Sequence, residues 1–105
     1  MTKSSVDIEK DKDKLSITFY GKFDLYFITS YEKQISNSTT SDIKTVNLDL
    51  SNLDFLDTSA SIFIHQLKTD FLTKNKVVNL VSTNQKITDT LKLTQTQINK
   101  NIEFV

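Results

Sequence analysis

Apolar and polar side chains alternate one for one through Val6, Asp7, Ile8 and Glu9, and again from Leu15 to Tyr20. That is the period of a strand with one buried face. Between these runs Lys10, Asp11, Lys12, Asp13 and Lys14 alternate in sign, which predicts the solvated turn of a hairpin. Gly21, the only glycine, punctuates the end of the second strand, where a bend or a positive φ suits it. From Leu25 to Ser36 the period lengthens, with Phe27, Ile28, Tyr31 and Ile35 covering one helical face. Asn37 to Asp42 is a polar connector. Val46, Leu48 and Leu50 then alternate with Asn47 and Asp49 as a strand, and Leu53, Phe55 and Leu56 form an apolar plug across its end. Ala60, Phe63, Ile64, Leu67 and Phe71 make one stripe on a helix running from Ala60 to Leu72.

The remainder is shorter. Val77, Val78, Leu80 and Val81 read as a nearly continuous apolar strand, expected to be covered on both faces. Ile87, Leu91 and Leu93 supply the apolar side of a third helix from Asn84 to Leu93, and Ile102, Phe104 and Val105 a last strand. The order β-β-α-β-α-β-α-β predicts an α/β fold: a single mixed sheet of about five strands with helices packed largely on one side. Val46, Leu48, Leu50, Ile64, Leu67, Phe71, Val78 and Leu80 are expected in its core. With 105 residues, no internal repeat and no inner boundary, residues 1–105 form one domain.

Composition narrows the function more by exclusion than by pointing. Thirteen basic and thirteen acidic residues give zero formal charge, so nothing in the balance calls for nucleic acid or an anionic membrane. The chain has no cysteine, hence neither a disulfide framework nor thiolate metal ligands, and a reducing compartment fits. No apolar run approaches the roughly 20 residues that span a bilayer, and the N-terminus lacks a signal-peptide pattern. A cytoplasmic location is the expectation. His65 is the only histidine and reads as a solvated surface residue away from the apolar stripe. One glycine cannot build a phosphate-binding loop, no strained elbow surrounds the serines, and no metal or cofactor is implied. No catalytic constellation emerges, so the chain reads as a non-enzyme. What stands out is Asp57, Thr58 and Ser59, side-chain oxygens placed where the central helical pattern begins. Capping alone accounts for Asp57 and Thr58, a role worth about 1 kcal/mol.

This stretch resembles the STAS domain, the fold of bacterial anti-sigma-factor antagonists. The family signature is an alternating apolar strand, a short hydrophobic loop, and Asp-Ser-Ser/Thr-Gly opening a helix. Here VNLDLSNLDFL precedes Asp57, Thr58, Ser59 and Ala60. A weaker match, Gly21-Lys22-Phe23-Asp24, is similar to the family's Gly-Glu-Leu-Asp. The resemblance covers nearly the whole chain. It implies a regulatory protein-interaction module that docks on a nucleotide-binding partner through the mouth of the central helix. In antagonists the hydroxyl after the aspartate is phosphorylated by the anti-sigma factor, a kinase. That makes Thr58 the phosphorylation candidate, with Ser59 beside it. The contact edge implied is Asp24, Asp57, Thr58, Ser59, Ser61 and Ile62. A phosphate adds about −1.5 to −2 charges, tolerated at a helix N-terminus yet repulsive across a docked acidic interface.

Two departures keep a second branch open. Ala60 and Ser61 stand where antagonists carry glycine and leucine, and Lys22 where they carry glutamate. Thr58 with small Ser61 and large Ile62 is similar to the STAS subunits or fused domains of Mla-type lipid ABC transporters, which dock on the ATPase. The partner is therefore an anti-sigma-factor kinase or an ABC-transporter ATPase, the latter placing the domain at the inner face of a membrane. The cytoplasmic STAS domain of anion transporters is a third, weaker match.

Overall fold

A computed structural model describes the backbone of residues 3–103 and the side chains of residues 3–96. A hairpin of β1 (Ser5–Asp11) and β2 (Lys14–Phe23) leads through a 3-10 turn (Leu25–Phe27) into α1 (Ile28–Ser38). Then come β3 (Thr45–Leu56), α2 (Thr58–Thr73), β4 (Val77–Val81) and α3 (Gln85–Glu103). The sheet order is β1-β2-β3-β4, with β1 antiparallel to β2 and the other pairs parallel. A mixed sheet in an α/β fold is what the alternation of periods predicts.

Alternation places the core. Leu15, Ile17 and Phe19 of β2 and Val46, Leu48 and Leu50 of β3 are fully buried, while the intervening Ser16, Thr18, Asn47 and Asp49 are only half-buried. Ala60, Phe63, Ile64 and Phe71 of α2 and Ile87 and Leu91 of α3 close over the first set. Leu67, Val78 and Leu80 pack against the same cluster but stay partly accessible. Gly21 has φ 76° and is buried where the β2–β3 register slips between Gly21 and Lys22. A side chain there would meet both the left-handed backbone and the core. Helix α2 ends in a Schellman turn: Asn75, at φ 63°, donates its N–H to Leu72 O and Lys76 N–H bonds Phe71 O.

Four expectations are corrected. The plug from Leu53 to Leu56 is not a loop but the end of β3, which turns Leu53 and Leu56 inward. Strand β4 is covered on one face only: Val77 and Val81 are exposed because the helices leave the other side of the sheet bare. The third helix is longer than its apolar side suggested, and Leu93 faces solvent. Residues 95–101 contain neither glycine nor proline, so nothing local halts it. Ile102 is therefore helical rather than in a last strand, and the sheet has four strands among the described residues. Phe104 and Val105, expected in that strand, lie outside the described residues.

Candidate functional site: the mouth of helix α2

The carboxyl ends of β2 and β3 lie side by side, with Phe23 paired to Leu56 and the Asp57 N–H bonded to Phe23 O at 3.2 Å. Both chains turn there, and an aspartate manages each turn. Asp24 caps the 3-10 turn, accepting from the Tyr26 N–H at 3.0 Å. Asp57 divides its two oxygens: Oδ1 accepts from Ala60 N–H at 2.7 Å, capping α2, and Oδ2 from Leu25 N–H at 3.0 Å. One carboxylate thus ties the helix mouth to the turn beside it. The N–H groups of Thr58 and Ser59, in the helix's first turn, find no acceptor among the described residues. The Thr58 side chain is exposed and Ser59 is half-buried. A free hydroxyl beside unsatisfied N–H donors at a helix dipole's positive end is a place where an added anion is favoured.

Asp24 also meets Lys22 Nζ at 3.7 Å, and that ammonium lies 5.3 Å from the centre of the Phe55 ring. Around the mouth large apolar side chains stand in solvent: Tyr26 is 89% exposed, Leu25 62% and Phe55 46%. None of these three was singled out from sequence as a site residue. A signal existed for Leu25 and Tyr26, which fall outside the α1 stripe, but not for Phe55: alternation puts it on the face of Leu53, and it turns outward only because the β2–β3 register slips between Gly21 and Lys22.

Asp24, Asp57, Thr58 and Ser59 are thus brought together, and Ile62 lies half-buried one turn further along. Ser61 does not belong to a contact edge. It is 0% exposed, because the fourth residue of α2 faces the core alongside Ala60 and Ile64, and its hydroxyl has no hydrogen-bond partner. His65 also differs from expectation. It is half-buried between helices, with Nε2 2.9 Å from Leu91 O. A carbonyl can only accept, so Nε2 carries the proton and the imidazole is a helix–helix tie.

Behind the mouth lies an aromatic cluster. Phe23 stacks on Phe19 at 5.2 Å, Phe63 meets Phe23 edge-on at 5.9 Å, and Tyr31 lies between Phe23 and Phe27. The Tyr31 hydroxyl is buried without a partner. Burial, and secondarily the charge of Asp24, push its pKa above the usual phenol value. Among the described residues no group of three His, Asp or Glu side chains is placed to hold a metal ion. No described helix is long and apolar enough to cross a membrane.

Solved structures place this geometry among known ones. The anti-sigma factor antagonist from Mycobacterium paratuberculosis superposes with a TM-score of 0.76 at 15% identity, over 92% of this chain and 82% of that one. The unphosphorylated antagonist SpoIIAA gives 0.73 at 13% identity, over 87% and 81%. The larger protein Mglu gives 0.68 at 15% identity over 75% of this chain, which spans only 20% of Mglu. At these identities the likeness is one of fold. No curated protein matches the chain in sequence. The STAS domain model, however, matches residues 5–104. With Asp57 capping α2 at the carboxyl end of a parallel strand and the sheet matching the antagonists, the chain belongs to the STAS domain family.

Proposed function

We propose that this domain is a non-enzymatic regulatory module of the anti-sigma-factor-antagonist type, which docks on a nucleotide-binding protein through the mouth of α2. Phosphorylation of Thr58 is the switch in this reading. The observation that carries it is the exposed Thr58 hydroxyl beside two acceptor-free N–H groups, ringed by the exposed Leu25 and Tyr26. In the switch a kinase partner passes a nucleotide's γ-phosphoryl to Thr58 Oγ1, and the hydroxyl proton leaves. The phosphate rests against the helix N-terminus, so the fold survives, while its charge adds to Asp24 and Asp57 at the interface centre. Apolar side chains beside the hydroxyl supply contact area of the kind that dominates interface energies.

A second reading has the same surface seated on the ATPase of a lipid ABC transporter. The Lys22 cation supports it, since it sits on Phe55 and Asp24 where an antagonist has a glutamate. The experiment is a pull-down against an anti-sigma-factor kinase and against an ABC-transporter ATPase, with Thr58→Glu, Tyr26→Ala and Ile62→Ala variants and a melt of each. Ile62→Ala weakens binding by up to about 2 kcal/mol if that side chain is well buried by the partner. Tyr26→Ala weakens it comparably, and Thr58→Glu lowers binding without lowering stability. Radiolabel transfer to Thr58 from ATP favours the antagonist reading, and binding without transfer favours the transporter one. Unchanged binding by all three variants refutes both.

A further inference from the structure

On the flank of α2 away from α1, the helix, strand β4 and α3 border an open, shallow groove of about 370 Å³. Its volume falls within the range typical of small-molecule sites. Leu80 and Leu91 form an apolar floor, and the half-buried hydroxyls of Ser82 and Thr88, 2.9 Å apart, close one end. His65, Lys68 and Lys92 stand on its walls, and among the described residues no carboxylate lines it. In a chain with zero formal charge this is a local excess of cations. Neither lysine has an anionic partner among the described residues.

The described acidic side chains of the same helices are held elsewhere. Asp70 of α2 lines the opposite groove, against α1, with Phe63 and Leu67. Asp89 of α3 accepts from Gln85 Nε2 at 2.7 Å. Strand β4 carries no titratable side chain. The His65 tie to Leu91 O fixes the spacing of the two helices at the groove. An apolar trough walled by unpaired cations matches one ligand chemistry: a single anionic head on a short apolar body.

We propose that this groove binds a medium-chain carboxylate, its chain laid on Leu80 and Leu91 and its head between the Lys68 and Lys92 ammonium groups. The site is separate from the mouth of α2. His65 lies seven residues beyond Thr58, which is about 10 Å along the helix. Occupancy therefore leaves the Thr58 hydroxyl uncovered, and the proposal stands whether or not the docking reading does.

An NMR titration of the whole chain with octanoate tests it, beside acetate and 1-octanol. Saturable amide shifts are expected at Leu80, Ser82, Thr88 and Leu91, with Thr58 and Ser59 unmoved. Acetate and octanol are expected to bind at least tenfold more weakly. The double variant Lys68→Gln/Lys92→Gln, whose melt is expected to match wild type, is expected to lose at least tenfold in affinity for octanoate. Octanol binding as tightly as octanoate overturns recognition of the head, and acetate doing so overturns the role of the trough. Absence of saturation, or shifts centred away from the groove, overturns the site itself, and these wild-type results do not depend on how the double variant folds.

Discussion

Replacing Asp57 by alanine removes one side chain and unties two elements. The bond from Ala60 N–H to Oδ1, at 2.7 Å, is an N-cap whose loss costs about 1 kcal/mol. The bond from Leu25 N–H to Oδ2, at 3.0 Å, is charge-assisted but solvent-accessible, so we discount it to about 1 kcal/mol. Together they predict a loss of about 2 kcal/mol, which for a domain of this size lowers Tm by roughly 10 °C. Asparagine keeps one acceptor oxygen without the charge. It should restore the cap but not the tie to Leu25, and so lose about 1 kcal/mol. Urea denaturation followed by circular dichroism measures both totals. Amide hydrogen exchange separates the two halves: Ala60 and Leu25 should both exchange faster in Asp57→Ala, and mainly Leu25 in Asp57→Asn. If Asp57→Ala is as stable as wild type within 0.5 kcal/mol, or Leu25 exchange is unchanged, then the carboxylate does not couple the turn to the helix.

Other perturbations read different parts of the structure. Thr58→Glu in the isolated domain should be neutral or stabilising by up to about 1 kcal/mol, because a negative charge enters the first turn of α2; a clear loss in the melt would contradict the exposed position of Thr58. Ser61→Ala deletes a buried hydroxyl that bonds nothing, so denaturation should show no loss and up to about 1 kcal/mol of gain. Tyr31 has its pKa raised in the folded state, so its contribution is present below the ordinary phenol pKa and lost as pH rises through the folded value. Wild type should therefore weaken above about pH 10 relative to Tyr31→Phe, and parallel pH–stability curves for the two would refute that. Gly21→Ala forces a Cβ into a φ of 76° at a buried bulge and should cost at least 1 kcal/mol by denaturant midpoint.

Much of this arrangement was legible before any coordinates. Strict alternation in β2 and β3 marked Leu15, Ile17, Val46 and Leu48 because a strand's period of two leaves no other face for them. Asp57 announced the start of α2 because an N-cap needs a short acceptor just ahead of the apolar stripe. Ser61 was misplaced for the converse reason. A serine in the first turn suggests solvent, but α2's inward arc is wide enough to take Ala60, Ser61 and Ile64 together. The exposed face of β4 was equally hidden, since an apolar run does not say how many layers lie over it. His65 needed tertiary information outright, because its acceptor lies 26 residues away on another helix. The groove it helps define could not be assembled from local patterns at all.

The parallel pairing of β2 with β3 bears on how fast the chain reaches this structure. Lys14 aligns with Thr45 and Leu15 with Val46, so each contact closes a segment that must include all of α1. The β1–β2 hairpin, by contrast, closes over the short link between Asp11 and Lys14. Ring closure over the longer span costs more chain entropy before any burial repays it, which is why non-local pairing slows folding. The transition state is thus expected to hold β2 and β3 already zipped at Ile17 and Leu48, with α3 docking later. Truncations in that central pair, such as Leu48→Ala, should slow refolding, whereas truncations in α3, such as Ile87→Ala, should chiefly hasten unfolding. On this frame Thr58, the switch residue of the proposed function, stands just past the end of a strand expected to be in place when the chain commits to folding.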